Sequence, residues 1–338
     1  MLKLVSVFSL FVCATTLVAC GDGSNSGDGR VIKVSGAYAT QIQEPWNSVV
    51  HGALLEAEAD GEISYNWTAG IGYDNGAMDA ALRRIIATQH PDVIFGDAFG
   101  NEAAARRVAA ENPTIAFAMG SANSETAPNF SVFDNWIHEP SYLCGMLAGG
   151  LTKSNKIGVV GGYPVAEVNR LVNAFIAGAR SVNPEVQPFV TYISSWYDPV
   201  AAGQATNSQL SAGADVFFGE RDGVIQAAAS QKLLSFGNII DQQSVAPTEV
   251  VSSSVWQMRP TVDEVVGAVR AGTYTARNLA PFSMMEAGGA ALAQNNTGAS
   301  GGIPVGLHAL VVAKRKAIEE GAYVVEIDES VPPGAVVQ

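Results

Sequence analysis

From about residue 30 onward, short runs of β-branched and aromatic residues alternate with longer stretches of helical periodicity, nearly to the end of the chain. This alternation confines the fold to the α/β class, because parallel strands buried on both faces need a crossover helix between them. The runs at Val31–Ser35, Ile63–Trp67, Asp92–Phe95, Thr114–Ala118, Phe130–Phe133, Lys156–Val160, Phe189–Ile193, Asp215–Phe218, Ser235–Ile240 and Val250–Val255 read as strands. Helical patterns lie near Asn47–Ala59, Met78–Thr88, Glu102–Glu111, Pro140–Thr152, Val168–Ser181, Val200–Gly213, Gly223–Gln231 and Thr261–Ala271. Right-handed crossovers would wind such units into doubly wound sheets. These strands are too many for one comfortable sheet, so two Rossmann-like lobes with a cleft between them are expected.

Composition narrows the partners. Apolar residues make up 48% of the 338 and charged residues 15%, the balance of a globular chain with a sizeable core. With 32 Asp and Glu against 19 Lys and Arg, the net charge of −13 repels phosphate backbones, and nucleic acid is not an expected partner. Cys13, Cys20 and Cys144 are too few and too far apart for a disulfide framework or a CxxC metal site.

The N-terminus indicates the compartment. Residues 1–19 carry Lys3, then an apolar run from Leu4 to Val18, then Leu17-Val18-Ala19-Cys20. This is the layout of a cleaved lipoprotein signal, with Cys20 as the lipidated residue. The run is short of the ~20 residues that span a bilayer. Residues 20–30, rich in Gly, Ser and Asx, read as a flexible tether. A cell-envelope protein is expected, lipid-anchored to the membrane and facing the periplasm or exterior. Cys144, in an apolar helical stretch, reads as a small core residue.

Ligands of open α/β sheets sit outside the carboxyl ends of the strands. Those places hold Glu44-Pro45-Trp46-Asn47, Gly96-Asp97-Ala98-Phe99, Phe133-Asp134-Asn135-Trp136, Ser195-Trp196-Tyr197-Asp198-Pro199, Gly219-Glu220-Arg221-Asp222 and Ile240-Asp241-Gln242. Indole rings offer stacking faces, while amides and carboxylates suit the polar edges of a flat heterocycle. Each residue also has a structural reading. A loop Trp can pack one lobe on the other, and an Asp or Asn before a helix can be an N-cap. Asp198, followed by Pro199, fits the cap best. His51 and His138 read as structural.

Enzyme signatures are missing from the sequence: it contains no GxxxxGKS/T loop, no HExxH, no GxSxG elbow and no Cys/His metal spacing. In Gly70-Ile71-Gly72-Tyr73-Asp74-Asn75-Gly76 the last glycine falls one residue too late for GxGxxG. A binding protein without cofactor or metal is the expectation.

The stretch from Asn129 to Gln243 resembles the basic membrane protein family of ABC-transporter substrate-binding lipoproteins. The resemblance is carried by Glu139-Pro140-Ser141-Tyr142-Leu143-Cys144-Gly145, Lys156-Ile157-Gly158-Val159-Val160-Gly161-Gly162, Ala174-Phe175-Ile176-Ala177-Gly178-Ala179, Val182-Asn183-Pro184, Trp196-Tyr197-Asp198-Pro199, Gly213-Ala214-Asp215-Val216 and Ile240-Asp241. It implies the type I periplasmic-binding-protein fold, with lobes at 31–135 plus about 247–285 and at 136–246 plus about 286–338, joined by three hinge crossings.

The resemblance also implies a function: a monomeric receptor that captures a purine nucleoside or nucleobase-like heterocycle and delivers it to ABC permease and ATPase subunits. The family's two base-sandwiching aromatics fall on Trp46 and Trp196, its ribose-binding Asp on Asp241, and a family Lys on Gln257. Its Gly-rich segment is replaced by the charged Gly219-Glu220-Arg221-Asp222-Gly223. Three readings stay open beside this one: a receptor for another planar solute, a lipoprotein that docks a signalling partner, and an exported nucleoside hydrolase. The expected ligand contacts are Trp46, Asn47, Asp97, Trp196, Asp241 and Gln257, with Asp134, Glu220 and Arg221 in support.

Overall fold

The computed structural model describes residues 30–296, 298–299 and 301–338. The export signal, Cys20 and all of the tether except Arg30 lie outside the described residues.

A first sheet is formed by β1 (Ile32–Ala37), β2 (Ile63–Thr68), β3 (Val93–Asp97), β4 (Ala116–Gly120) and β5 (Phe130–Phe133), in the order β2-β1-β3-β4-β5. All its pairings are parallel. Its helices are α1 (Pro45–Ala59), α2 (Asn75–Gln89) and α3 (Glu102–Glu111).

A second sheet collects β6 (Lys156–Gly161), β7 (Gln187–Tyr192), β8 (Val216–Gly219), β9 (Leu234–Ile239), β10 (Val250–Trp256), β11 (Ala290–Leu292) and β12 (Val336–Val337). Its order is β11-β10-β9-β8-β6-β7-β12, parallel except for the antiparallel β10–β11 pair. It is served by α4 (His138–Leu151), α5 (Ala166–Val182), α6 (Pro199–Ser211), α7 (Val224–Ser230) and α9 (Val305–Glu319), while α8 (Arg259–Arg270) packs back on α1 and β1. This is the α/β fold of type I periplasmic binding proteins, with the chain passing between the sheets after β5, after β10 and before β11.

Sequence chemistry explains the central elements. The inner strands are mainly apolar because helices cover both faces; all five residues of β3 and of β4 are buried, the one charged group among them, Asp97, standing at the carboxyl end of β3. Helix α4 is buried on every face from His138 to Gly149 and is mainly apolar past its first turn. It approaches α5 closely enough that glycine is required at the crossing: a Cβ on Gly178 would lie 1.9 Å from the carbonyl oxygen of Tyr142, and one on Gly145 2.0 Å from that of Phe175. Cys144 is buried there, as a core residue should be.

One sequence-based boundary is corrected. The lobe division at about residue 247 puts Val250–Val255 with the first lobe, yet β10 pairs in parallel with β9, Ser253 opposite Gly237. Only a short 3-10 turn, Gln243–Val245, lies between them, so the chain stays with the second sheet and crosses after Trp256. Strands β11 and β12 and helix α9 are absent from the sequence-based reading. The two strands are three and two residues long, too short to show a period.

Candidate functional site

Between the sheets lies a cleft lined by Thr40, Glu44, Trp46, Tyr73, Asp97, Phe99, Ser121, Glu167, Trp196 and Arg221. Every one stands at the carboxyl end of a strand or in the segment just beyond it. Thr40, Glu44 and Trp46 follow β1, Tyr73 follows β2, Asp97 and Phe99 end and follow β3, and Ser121 follows β4. From the second sheet come Glu167 after β6, Trp196 after β7 and Arg221 after β8. In both sheets these ends surround the point where the strand order reverses, beside β1 and β6, which is where such folds bind ligands.

Trp46 is set by the start of α1. Glu44 caps the helix by accepting the Asn47 backbone N–H at 3.0 Å, and Pro45 fits the first turn. The indole is 8% exposed, stacks on Phe133 at 5.6 Å and 16°, and leans on Trp256 at 5.2 Å. It also lies over Gly120, where a Cβ would be 2.2 Å away. Trp196 is half-buried and meets Tyr163 at 4.8 Å and Phe99 edge-on at 5.2 Å. Its ring carries the Arg221 guanidinium at 5.2 Å.

The charges are unequally matched. Arg221 is held by Glu220, with Nε on Oε2 at 2.9 Å and Nη2 on Oε1, while Nη1 donates to the Trp196 carbonyl at 3.1 Å. Glu220 is buried and accepts the Gly162 N–H at 2.9 Å. Three carboxyls remain. Burial raises Asp97 to about 7, with Glu44 and Asp134 adding to the rise and the Phe99 N–H opposing it. Burial also raises Glu44, and it raises Glu167 well above the carboxylate range, with Asp134 and Glu220 adding repulsion. The space left among these side chains is about 40 Å³. That suits a few waters, so a heterocycle needs the two sheets to move apart first.

Of the residues singled out by sequence, Trp46, Asp97, Trp196 and Arg221 line this cleft, and Glu220 sits behind Arg221. Asn47 is buried beneath it, its amide donating to Thr40 Oγ1 at 2.6 Å and the Gln41 carbonyl at 3.3 Å, so it shapes the loop that presents Thr40. Asp134 is engaged at the first crossing, 2.7 Å from Arg170, whose guanidinium stacks on Trp136 at 4.0 Å. Asp241 and Gln257 are exposed and outside the lining; Asp241 accepts the Gln243 N–H at 3.0 Å. Asp198 caps α6 through the Ala201 N–H, as its Pro199 neighbour suggests.

Sequence reasoning missed Thr40, Tyr73, Ser121 and Glu167 and did not select Glu44 or Phe99. The signal for Tyr73 was its place between β2 and α2 in the glycine-rich segment set aside as a weak dinucleotide motif. Glu167 lies inside the first turn of α5, where a carboxylate reads as a dipole partner.

The fold and this cleft define a solute-binding protein of the type I class. The chain belongs to the Bmp family of PnrA-like ABC transporter substrate-binding proteins, which matches residues 38–279. Among curated relatives, it is 27% identical to a putative ABC transporter glucose-binding protein, TsgA13, of Haloferax volcanii, over 75% of this chain and 65% of that one. It is 29% identical to a purine-binding protein of Brucella abortus, over 60% and 57%. The ABC transporter nucleoside-binding protein BmpA of Lactococcus lactis is 26% identical, over 64% and 65%. The matches thus span less than two thirds of these relatives' own lengths. A solute-binding protein of Conexibacter woesei shares the fold with TM-score 0.71 at 22% identity, over 88% of this chain and 99% of that one. A transcriptional activator of the comK gene from Bacillus halodurans shares it with TM-score 0.75 at 18% identity, over 87% and 100%.

Proposed function

We propose that this chain is the extracytoplasmic receptor of an ABC importer, capturing a purine nucleoside or nucleobase-like heterocycle between its two sheets. The observation that carries the reading is the convergence, on one cleft, of loops from both sheets bearing four aromatic rings, Trp46, Tyr73, Phe99 and Trp196. Stacking on such rings is worth ~1–3 kcal/mol per base. The relatives described as purine-binding and nucleoside-binding support the ligand class.

Capture proceeds by hinge closure. Three crossings let the sheets swing apart, and contacts such as Phe99 against Trp196 reform on closing. The closed form is what permease and ATPase partners would read. Cys20 is the proposed lipid anchor, residues 20–30 the tether, and the receptor acts as a monomer at the membrane surface. No helix of the described residues is long and apolar enough to cross a membrane.

The test is a thermal-shift and calorimetric panel of purine and pyrimidine nucleosides, free bases, sugars and amino acids, since a ligand that binds the folded state raises its melting temperature. Nucleosides or bases should give the shift, and chromatography after long incubation should recover them unchanged. A response to sugars alone would overturn the heterocycle reading and align the cleft with the glucose-binding relative. Accumulation of free base and ribose would make the chain a hydrolase.

A further inference from the structure

We infer that the cleft is built for a heterocycle bearing positive charge, a pyridinium-like or N-alkylated ring, in preference to a neutral one. The inference rests on the nucleoside-receptor reading and specifies the charge of its ligand.

Charge matching inside the cleft is the first observation. Its lining contributes three carboxyls, Glu44, Asp97 and Glu167, and one cation, Arg221. Arg221 is already spoken for, because Nε and Nη2 meet the Glu220 carboxylate and Nη1 meets the Trp196 carbonyl. Arg170, the nearby second cation, pairs with Asp134 and with Glu329 at 3.2 Å. Both guanidiniums are therefore matched by carboxylates outside the lining, and none of the three lining carboxyls has an ion-pair partner among the described residues. Burial raises all three above the ordinary carboxylate value, with Glu44 adding to the rise of Asp97, so a cation bound beside them would favour their ionised forms.

The second observation is independent of charge. Trp46 lines the cleft and is more than nine-tenths buried, yet its indole N–H has no hydrogen-bond partner among the described residues. An unpaired buried donor costs about 1–3 kcal/mol, which an acceptor atom on a ligand would recover. Around it, aromatic rings offer electron-rich faces, and cations bind such faces with ~2 kcal/mol or more once water is excluded. A flat cation with a carbonyl or hydroxyl acceptor satisfies the rings, the carboxyls and the N–H together. A neutral purine leaves the carboxyls without an opposite charge.

The test compares ligands of like shape and different charge at pH 7 by calorimetry on the full chain. One pair is 1-methyladenosine, a cation at that pH, and its neutral isomer N6-methyladenosine. The other is nicotinamide riboside, a fixed cation, and its neutral dihydro form. The cation should bind at least fivefold more tightly than its partner in one pair or both, and the ratio of the two affinities should fall toward one in a Glu44→Gln/Glu167→Gln double variant. A smaller ratio in both pairs, with the neutral compounds or inosine still binding, overturns the charge inference and leaves the receptor reading standing. A preference that survives the double variant also overturns it. No binding by any of these compounds overturns the receptor reading itself, and the charge inference with it.

Discussion

The ring of Phe99 meets the indole of Trp196 edge-on, centroids 5.2 Å apart and planes at 85°, and the contact joins the segment after β3 of one sheet to the segment after β7 of the other. It is one of the contacts that close the cleft, and it touches the ring proposed to carry the ligand. Phe99→Ala should therefore weaken ligand binding, chiefly by speeding dissociation, by about tenfold, since an aromatic pair is worth ~0.5–1.5 kcal/mol beyond its buried area. Stopped-flow release of bound nucleoside checks this. An unchanged release rate would mean that closure does not depend on the pair.

The two tryptophans should separate in mutants. Trp46 is core as much as cleft, packed on Phe133, Trp256 and Gly120, so Trp46→Ala should cost ~3–5 kcal/mol of folding stability as well as affinity. Trp196 is half-buried, so Trp196→Ala should lower affinity by ~1–3 kcal/mol with little change in stability. Urea denaturation beside calorimetry distinguishes the two.

Arg170 is 3% exposed and holds Asp134 at the first crossing. Removing one partner of a buried pair strands the other, so Arg170→Met should destabilise the fold by ~3–5 kcal/mol. The urea midpoint reads the loss, and Arg170→Met combined with Asp134→Asn should recover part of it.

Asp97 gives a pH signature. Its folded-state value of about 7 stands above its ordinary 3.8, so the folded chain holds a proton that the unfolded chain releases. Stability from this group is complete below about pH 4 and declines as pH rises, by up to about 1.4 kcal/mol per unit, until it is lost above about 7. Asp97→Asn should remove that slope, so the variant's stability relative to the parent should rise between pH 4 and 7 and be constant above. Parallel urea titrations across that range check it.

Outside the lining, Asp241 and Gln257 are exposed, and Asp241 is engaged by the Gln243 N–H. Alanine at either position should leave the affinity for a free base within about twofold by calorimetry. A larger loss for a nucleoside than for its base in Asp241→Ala would show the carboxylate reaching the ribose.

The sequence by itself determined the element types and most of their order. Alternating apolar and amphipathic segments leave a parallel sheet little choice, and β5 and α3 occupy the residues the pattern indicates, Phe130–Phe133 and Glu102–Glu111. It also marked the strand ends as the place for chemistry, which brought in Trp46, Asp97, Trp196 and Arg221. Tertiary structure decided the rest, because a strand's partner and a side chain's neighbours depend on residues far away along the chain. Only pairing with β9 assigns Val250–Trp256 to the second sheet. Only the meeting of seven strand-end segments sets Glu44, Asp97 and Glu167 in one small cleft, where loss of water above all gives these carboxyls a proton affinity that no local sequence pattern carries.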